Sequence, residues 1–286
     1  MPGGVDAARA VALLGGRATW AQLQPYATQH SVRQALQRGR LLRAARGVYV
    51  LPDLPRPELS AASVQGVLSH LSAAVHLGLP VLVRPERVDV TVARGGTRNA
   101  PDGVALHHVD LGDGERDGLA TRPLRTVLDC AASLPFREAL AVADSALRLG
   151  MVRSEDLTHA ASGRRGPASA VVRRVAAEAN GRAANPFESA LRAEVLDAGV
   201  RGFVPQQPVR LRTGRTVHVD LGDPRRRVAL EADSFEHHGS RQALRDDCRR
   251  YDELVCVDWT LLRFAWEHVV LDPLWVRAVV RSVRGG

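Results

Sequence analysis

Two short alternating runs constrain this chain more than any other feature. In "VHVDLGDPRRRVALEADSFEHHG", Val217 to Gly239, the apolar Val217, Val219 and Leu221 alternate with His218 and Asp220. Val228, Leu230 and Ala232 then alternate with Ala229, Glu231 and Asp233. Period-two alternation in both runs predicts a hairpin with one apolar and one polar face. If the apolar faces coincide the polar ones do too, and Asp220 lies across from, or diagonal to, Glu231, with Asp233 beside them. Carboxylates held a few ångströms apart repel unless a cation sits between them, and Mg²⁺ (or Mn²⁺) suits such an oxygen set. The run is equally readable as a sheet face that the fold keeps polar.

Charge narrows the partners. The 286 residues leave room for two or three domains, and the chain has no lysine, so its 39 basic residues are all arginine against 31 acidic ones, a net +8. The forked guanidinium binds phosphate well, so this balance suits an anionic polymer, although an arginine-rich composition alone would also produce it. Any mechanism needing a catalytic lysine is excluded. Cys130, Cys248 and Cys256 are odd in number and form no C-x-x-C pair, which argues against a disulfide framework or a cysteine zinc site and fits a cytoplasmic protein. No signal peptide or membrane span is expected, since Ser60 to Val83, although uncharged, carries histidines, serines and a proline.

The pattern predicts four segments: a domain over residues 1–55, a second over 56–161, a linker over 162–184 and a third domain over 185–286. The first reads as three helices and a hairpin, the order of a winged helix-turn-helix. Thr19 caps the second helix, Ser31 the third, and "LLRAARGVYVLP" forms the hairpin. The third helix would present Arg33, Gln34, Gln37 and Arg38 to DNA, with Arg40, Arg43 and Arg46 in the wing meeting phosphates. Residues 1–55 hold seven arginines against Asp6 and Asp53. The second segment mixes helices and strands without a catalytic constellation. His70 and His76 read as buried helical residues, while His107 and His108, adjacent in a strand, point to opposite faces.

The winged N-terminus with "SHLSAAVHLGLP", "DVTVARGG" and "DGLATRPLRTVLDCAASLPFREALAVADSAL" resembles actinobacterial proteins related to the AbiEi-type antitoxins of abortive-infection systems, over roughly residues 5–155. That resemblance implies a DNA-binding N-terminus, an α+β middle domain and a cognate toxin protein as partner. The stretch from Ser162 to Ala184 is rich in Gly, Ala, Pro and Arg and reads as a linker, with "VVRRVAAEA" a short helix inside it.

Beyond the linker, helix, strand, hairpin, helix, strand and helix alternate as in an α/β sandwich. "FESALRAEV", "HVDLGDPRRRVALEADSFEHHGS", "RDDCRRYDELV" and "LLRFAWEHV", spanning about residues 184–283, resemble the restriction-endonuclease superfamily with the PD-(D/E)XK signature, and more closely very-short-patch-repair endonuclease-like domains. The resemblance implies Asp220 and Glu231 as metal ligands, Glu188 as a helical acid facing the site, and Asp233 and His237 or His238 as accessory groups. The signature lysine, two residues after the second acid, is Asp233 here. His238 or Arg241 could activate water or steady the phosphate instead. Glu188 has a plainer reading as well: Asn185 caps, Pro186 opens the helix, and a glutamate three after the cap completes a capping box. His237 and His238, adjacent and without cysteines at finger spacing, do not read as structural zinc.

The expectation is therefore an α+β multidomain protein that binds double-stranded DNA. It joins a winged helix-turn-helix and an α+β middle domain to a restriction-endonuclease-like α/β sandwich that cuts phosphodiesters with Mg²⁺, in phage defence or DNA repair. Two rivals stand beside it: an antitoxin-like or regulatory DNA-binding protein that uses the nuclease fold without cleaving, and an interaction protein whose basic charge is only compositional.

Overall fold

A computed structural model describes residues 6–233 and 241–283. The elements are α1 (Ala7–Leu13), β1 (Arg17–Thr19), α2 (Trp20–Leu23), α3 (Gln29–Gln37), β2 (Leu42–Ala45), β3 (Val48–Val50), α4 (Arg56–Ser63), β4 (Val67–Leu68) and α5 (His70–His76). Then come β5 (Val88–Val92), β6 (Val104–His108), β7 (Arg116–Asp117), β8 (Ala120–Thr121), α6 (Pro123–Ser133), α7 (Phe136–Arg148), α8 (Ser154–Gly163) and α9 (Ser169–Glu178). The last are α10 (Pro186–Asp197), β9 (Val204–Arg210), β10 (Thr216–Asp223), β11 (Val228–Asp233), α11 (Arg241–Val255), β12 (Thr260–Ala265), α12 (Trp266–Leu271) and α13 (Pro273–Ser282). The protein is α+β, with three separate sheets among the described residues.

The chain divides into two compact units, Met1–Gly78 with Arg84–Cys130, and Leu79–Val83 with Ala131–Gly286. Residues 1–55 and most of the next segment thus share one unit. Their joint is apolar: Ala62 on α4 closes a small cluster with Val48 and Val50 of β3. Residues 162–184 lie wholly inside the second unit, where α9 buries Val172, Val175 and Ala176 and packs on α7. Composition suggested a linker there, but three small apolar residues on one helical face suffice to dock it.

In the first unit, caps set the helices. The Thr19 side chain and Gln22 form a capping box at α2, and the Thr28 hydroxyl accepts the Ser31 N–H at 3.2 Å. The cap of α3 is therefore Thr28 and not Ser31, which sits at the third helical position. Hairpin β2–β3 forms through Gly47 at φ +73°, and β1 pairs with β3 to give the order β1-β3-β2. The second sheet runs β6-β5-β4-β8-β7. Gly66, just before β4, lies against this sheet so closely that a Cβ would strike the Val90 side chain and meet the Thr91 carbonyl oxygen at 2.7 Å. Gly66→Ala is therefore expected to cost the first unit about 1–3 kcal/mol in denaturant unfolding, the usual cost of overpacking.

The second unit builds the third sheet, order β12-β11-β10-β9, with β10 antiparallel to both β9 and β11 and β11 parallel to β12. Asn185 caps α10, its side chain accepting from Phe187 and Glu188 N–H. Phe187, Leu191 and Val195 of α10 pack with Leu221, Leu230, Phe264, Val276 and Val280 into one core. On the opposite side, Val209, Val219, Ala229, Leu254 and Trp259 form a second cluster, so the sheet is covered on both faces.

Candidate active site

The hairpin forms, but its first strand does not keep one face throughout. Val217 and Val219 pack with the cluster that holds Leu254 of α11, whereas Leu221 packs with the α10 core. The change occurs at Asp220, where pairing with β9 skips one step opposite Gln206, held at φ +51°. A left-handed non-glycine residue breaks the ladder locally and lets the strand turn its face. The second strand alternates as predicted, with Leu230 and Ala232 on the α10 face.

This irregularity places Asp220 at the centre of the polar cluster. Register Leu221↔Leu230, carried one residue further, sets Asp220 opposite Glu231. The Ala232 N–H donates to Asp220 Oδ2 at 2.8 Å, and Asp220 and Glu231 share a hydrogen bond. Glu231 is only 5% exposed. Burial and then the Asp220 charge push its carboxyl up to about 8, against the pull of Arg250. Burial raises Asp220 as well, so the pair holds a proton that separate carboxylates would release.

Glu188 joins them from α10. Its Oε2 accepts from Ala184 N–H and from Gln206 Nε2, each at 2.8 Å, and its Oε1 accepts from Asn185 Nδ2 at 2.9 Å. It braces the start of α10 through Ala184 and the Asn185 side chain, without the bond to the Asn185 N–H that a capping box requires. Burial and then the Asp220 charge nonetheless raise it to about 7, so it also belongs to the cluster. Asp233 forms an ion pair with Arg263, whose guanidinium lies 4.2 Å over the Tyr251 ring. Burial, with neighbouring carboxylates adding, pushes Tyr251 up to about 12. Arg250 donates to Glu231 Oε1 at 2.8 Å and to the His218 carbonyl at 2.6 Å. His237 and His238 lie outside the described residues. Among the described residues, no set of three or more His, Cys, Asp or Glu side chains is arranged to hold a metal ion.

Gln206, Arg250, Tyr251 and Arg263 escaped the sequence reading. Arg250 and Tyr251 stand in the quoted "RDDCRRYDELV", but no local pattern says that α11 reaches β11. A pH dependence follows from the raised carboxyls. Glu188 and Glu231 bind protons more tightly in the folded than in the unfolded chain, so their contribution is complete below about pH 4.3 and is lost as pH rises through 7 to 8. The melting temperature in EDTA is expected to fall by several degrees between pH 5.5 and 8.5, and Glu231→Gln to flatten that fall. Calorimetry at stepped pH measures both.

The proposed DNA-reading residues separate. Arg33, Arg43 and Arg46 line one cleft between α3 and hairpin β2–β3. Gln34 instead contacts His30 at 3.0 Å, Arg40 pairs with Asp6, and exposed Gln37 and Arg38 end α3 outside that cleft. In the middle segment His70 stacks on His107 at 3.7 Å, and His107 Nε2 lies 3.0 Å from Asp89. Burial and then the nearby His107 lower His70 to about 4. No described helix is long and apolar enough to cross a membrane.

No family model matches the chain. It is 30% identical over 156 residues to two uncharacterized proteins of Mycobacterium tuberculosis, MT2308 of strain CDC 1551 / Oshkosh and Rv2248 of strain ATCC 25618 / H37Rv. The match covers 54% of this chain and 58% of the length of those curated relatives, so the chain spans little more than half of them. A crystal structure of the RV2827C protein from Mycobacterium tuberculosis aligns with 73% of this chain and 91% of its own, at 18% identity and a TM-score of 0.33.

Proposed function

We propose that the chain is a DNA-binding protein whose C-terminal region hydrolyses DNA phosphodiesters with a divalent metal, Mg²⁺ or Mn²⁺. One observation carries this reading: half-buried Asp220 and buried Glu231 lie on adjacent strands and share a hydrogen bond, and the Asp220 charge raises the proton affinity of both Glu231 and the nearby Glu188. Such a cluster is costly in a fold with no use for it, and perturbed carboxyls gather at functional sites. The donor set fits the ion: hard oxygens, two of them carboxylates, are what Mg²⁺ takes alongside water and substrate phosphate. Asp220 and Glu231 would hold it.

A bound divalent ion supplies a low-pKa water and an acid for the charge that develops on phosphate. The chain's own residues do the rest. Ala232 N–H orients Asp220, Arg250 orients Glu231, and the Asp233–Arg263 pair occupies the position where the PD-(D/E)XK signature carries its lysine. The element order α10, β9, β10, β11, α11, β12 accords with a restriction-endonuclease-like sandwich of the very-short-patch-repair kind. The N-terminal helices and β2–β3 accord with a winged helix-turn-helix of the AbiEi-type antitoxins, followed by an α+β middle domain, which would make a toxin protein a further partner.

A second reading is favoured by the arginine pairs. Arg250 on Glu231 and Arg263 on Asp233 already supply cations to the acids, and a chain without lysine lacks the usual phosphate-steadying group. On that reading the protein is a non-cleaving antitoxin-like or regulatory DNA-binding factor. Supercoiled plasmid incubated with the protein in EDTA, Mg²⁺ or Mn²⁺ separates the two. Metal-dependent nicking that Asp220→Asn abolishes supports the nuclease. Intact DNA with salt-sensitive retardation supports the binding factor, and neither result leaves both readings without ground.

A further inference from the structure

The cleft between α3 and hairpin β2–β3 has a volume of about 400 Å³ and a lining unlike that of the carboxylate site. Trp20 comes from α2, Arg33 and Leu36 from α3, and Arg43, Arg46 and Tyr49 from the hairpin. Its walls are fixed by hydrogen bonds to backbone carbonyls. Trp20 N–H donates to the Gly47 carbonyl at 2.8 Å, tying α2 to the turn, and Gln65 Nε2 donates to the Arg46 carbonyl at 3.0 Å. Arg43 and Tyr49 are cross-strand partners, so their side chains share one face of the sheet.

Several arginines elsewhere in the chain are engaged by carboxylates, as Arg40 is by Asp6, Arg125 by Glu115 and Arg192 by Asp144. Arg33, Arg43 and Arg46 are exposed, no carboxylate lines their cleft, and none of the three forms an ion pair among the described residues. Three guanidiniums converging without a counter-charge call for an anion with several oxygens, and phosphate matches their fork. The half-buried Trp20 and Tyr49 add flat apolar faces beside those charges.

An intact duplex would offer phosphates here but keep its bases stacked inside, leaving the aromatic faces unused. A nucleotide out of its stack presents both parts at once. We propose that this cleft binds an unpaired nucleotide, phosphate on Arg33, Arg43 and Arg46 and base against Trp20 or Tyr49. The inference deepens the DNA-binding reading, on which it rests, by making frayed or single-stranded DNA the form held by the N-terminal region. A free nucleotide shares this chemistry, and the test includes it.

The full chain in EDTA is titrated against a labelled 12-nucleotide single strand, a blunt hairpin duplex and thymidine monophosphate. Anisotropy and tryptophan fluorescence are followed at several salt concentrations. The single strand is expected to bind at least tenfold tighter than the duplex and to quench tryptophan. The triple variant Arg33→Gln, Arg43→Gln, Arg46→Gln should lose at least tenfold, and its salt slope should fall by about two, the value for three phosphate contacts on a single strand. Trp20 and Tyr49 also pack against the N-terminal core, so Trp20→Leu is paired with Trp20→Phe, which keeps a ring and should keep most of the affinity. Duplex bound as tightly as single strand, or an arginine variant with unchanged affinity and slope, overturns the proposal and leaves the DNA-binding reading intact. Tight binding of the monophosphate with no binding of either DNA supports the cleft chemistry and assigns it to free nucleotides, against the DNA-binding reading. No binding of any probe overturns both.

Discussion

On the proposed nuclease reading, replacing Asp220 by Asn together with Glu231 by Gln is expected to lower metal-dependent cleavage by more than about 100-fold, since even groups one layer beyond a metal's ligands typically cost 10- to 100-fold. Burial raises both carboxyls and the Asp220 charge raises Glu231 further, so at pH 8 the pair is ionised only at a cost to stability. A divalent ion offsets that cost and should raise the melting temperature of the unmutated protein in proportion to its saturation. The amide variants keep shape and remove charge. They should melt at the same temperature or higher in EDTA at pH 8, show no further rise with Mg²⁺ or Mn²⁺, and still bind DNA. Thermal scans with and without metal, run beside the cleavage assay, read every part. A metal-induced rise that survives in the double variant would remove Asp220 and Glu231 as the ligands.

The largest loss of stability is expected at Asp144. Arg192 Nη2 donates to both Asp144 oxygens, at 2.9 and 2.7 Å, with side chains 8% and 2% exposed. Arg192 Nη1 also donates to the Glu178 carbonyl at 2.7 Å, and Asn180 N–H donates to Asp144 Oδ1 at 2.6 Å. One ion pair therefore joins α7, α9 and α10, the helix that carries Glu188. Asp144→Ala would leave a guanidinium buried without a counter-charge, which costs about 3–5 kcal/mol. For a unit of this size that corresponds to a drop of roughly 10 °C in melting temperature. Asp144→Leu combined with Arg192→Met should recover much of the loss, because two apolar groups of similar volume leave no charge stranded. Calorimetry of the two single variants and the double closes the cycle, and a double variant no better than either single would show that shape, not charge, fixes this contact.

Local rules in the sequence determined the hairpin at residues 217–233, the cap at Asn185, the helix order of the first fifty residues and the candidate acids, because period-two alternation and capping depend on neighbours a few residues apart. The same rules misjudged what depends on packing. Residues 162–184 carry a linker's composition, yet Val172, Val175 and Ala176 bury a helix there. Arg33, Gln34, Gln37 and Arg38 read as one presenting side of the helix, yet only Arg33 lines the cleft, since Gln37 and Arg38 lie a turn further along α3 and Gln34 sits against His30. The face change at Asp220 needed the left-handed Gln206 on the neighbouring strand. Arg250, Tyr251 and Arg263 reach the carboxylates from α11 and β12, elements whose meeting with β11 is set by the burial of Leu254 and Phe264. Sequence by itself therefore determined which side chains were available for chemistry. Tertiary structure decided which of them share a site, because that choice is made by hydrophobic burial between segments far apart in the chain.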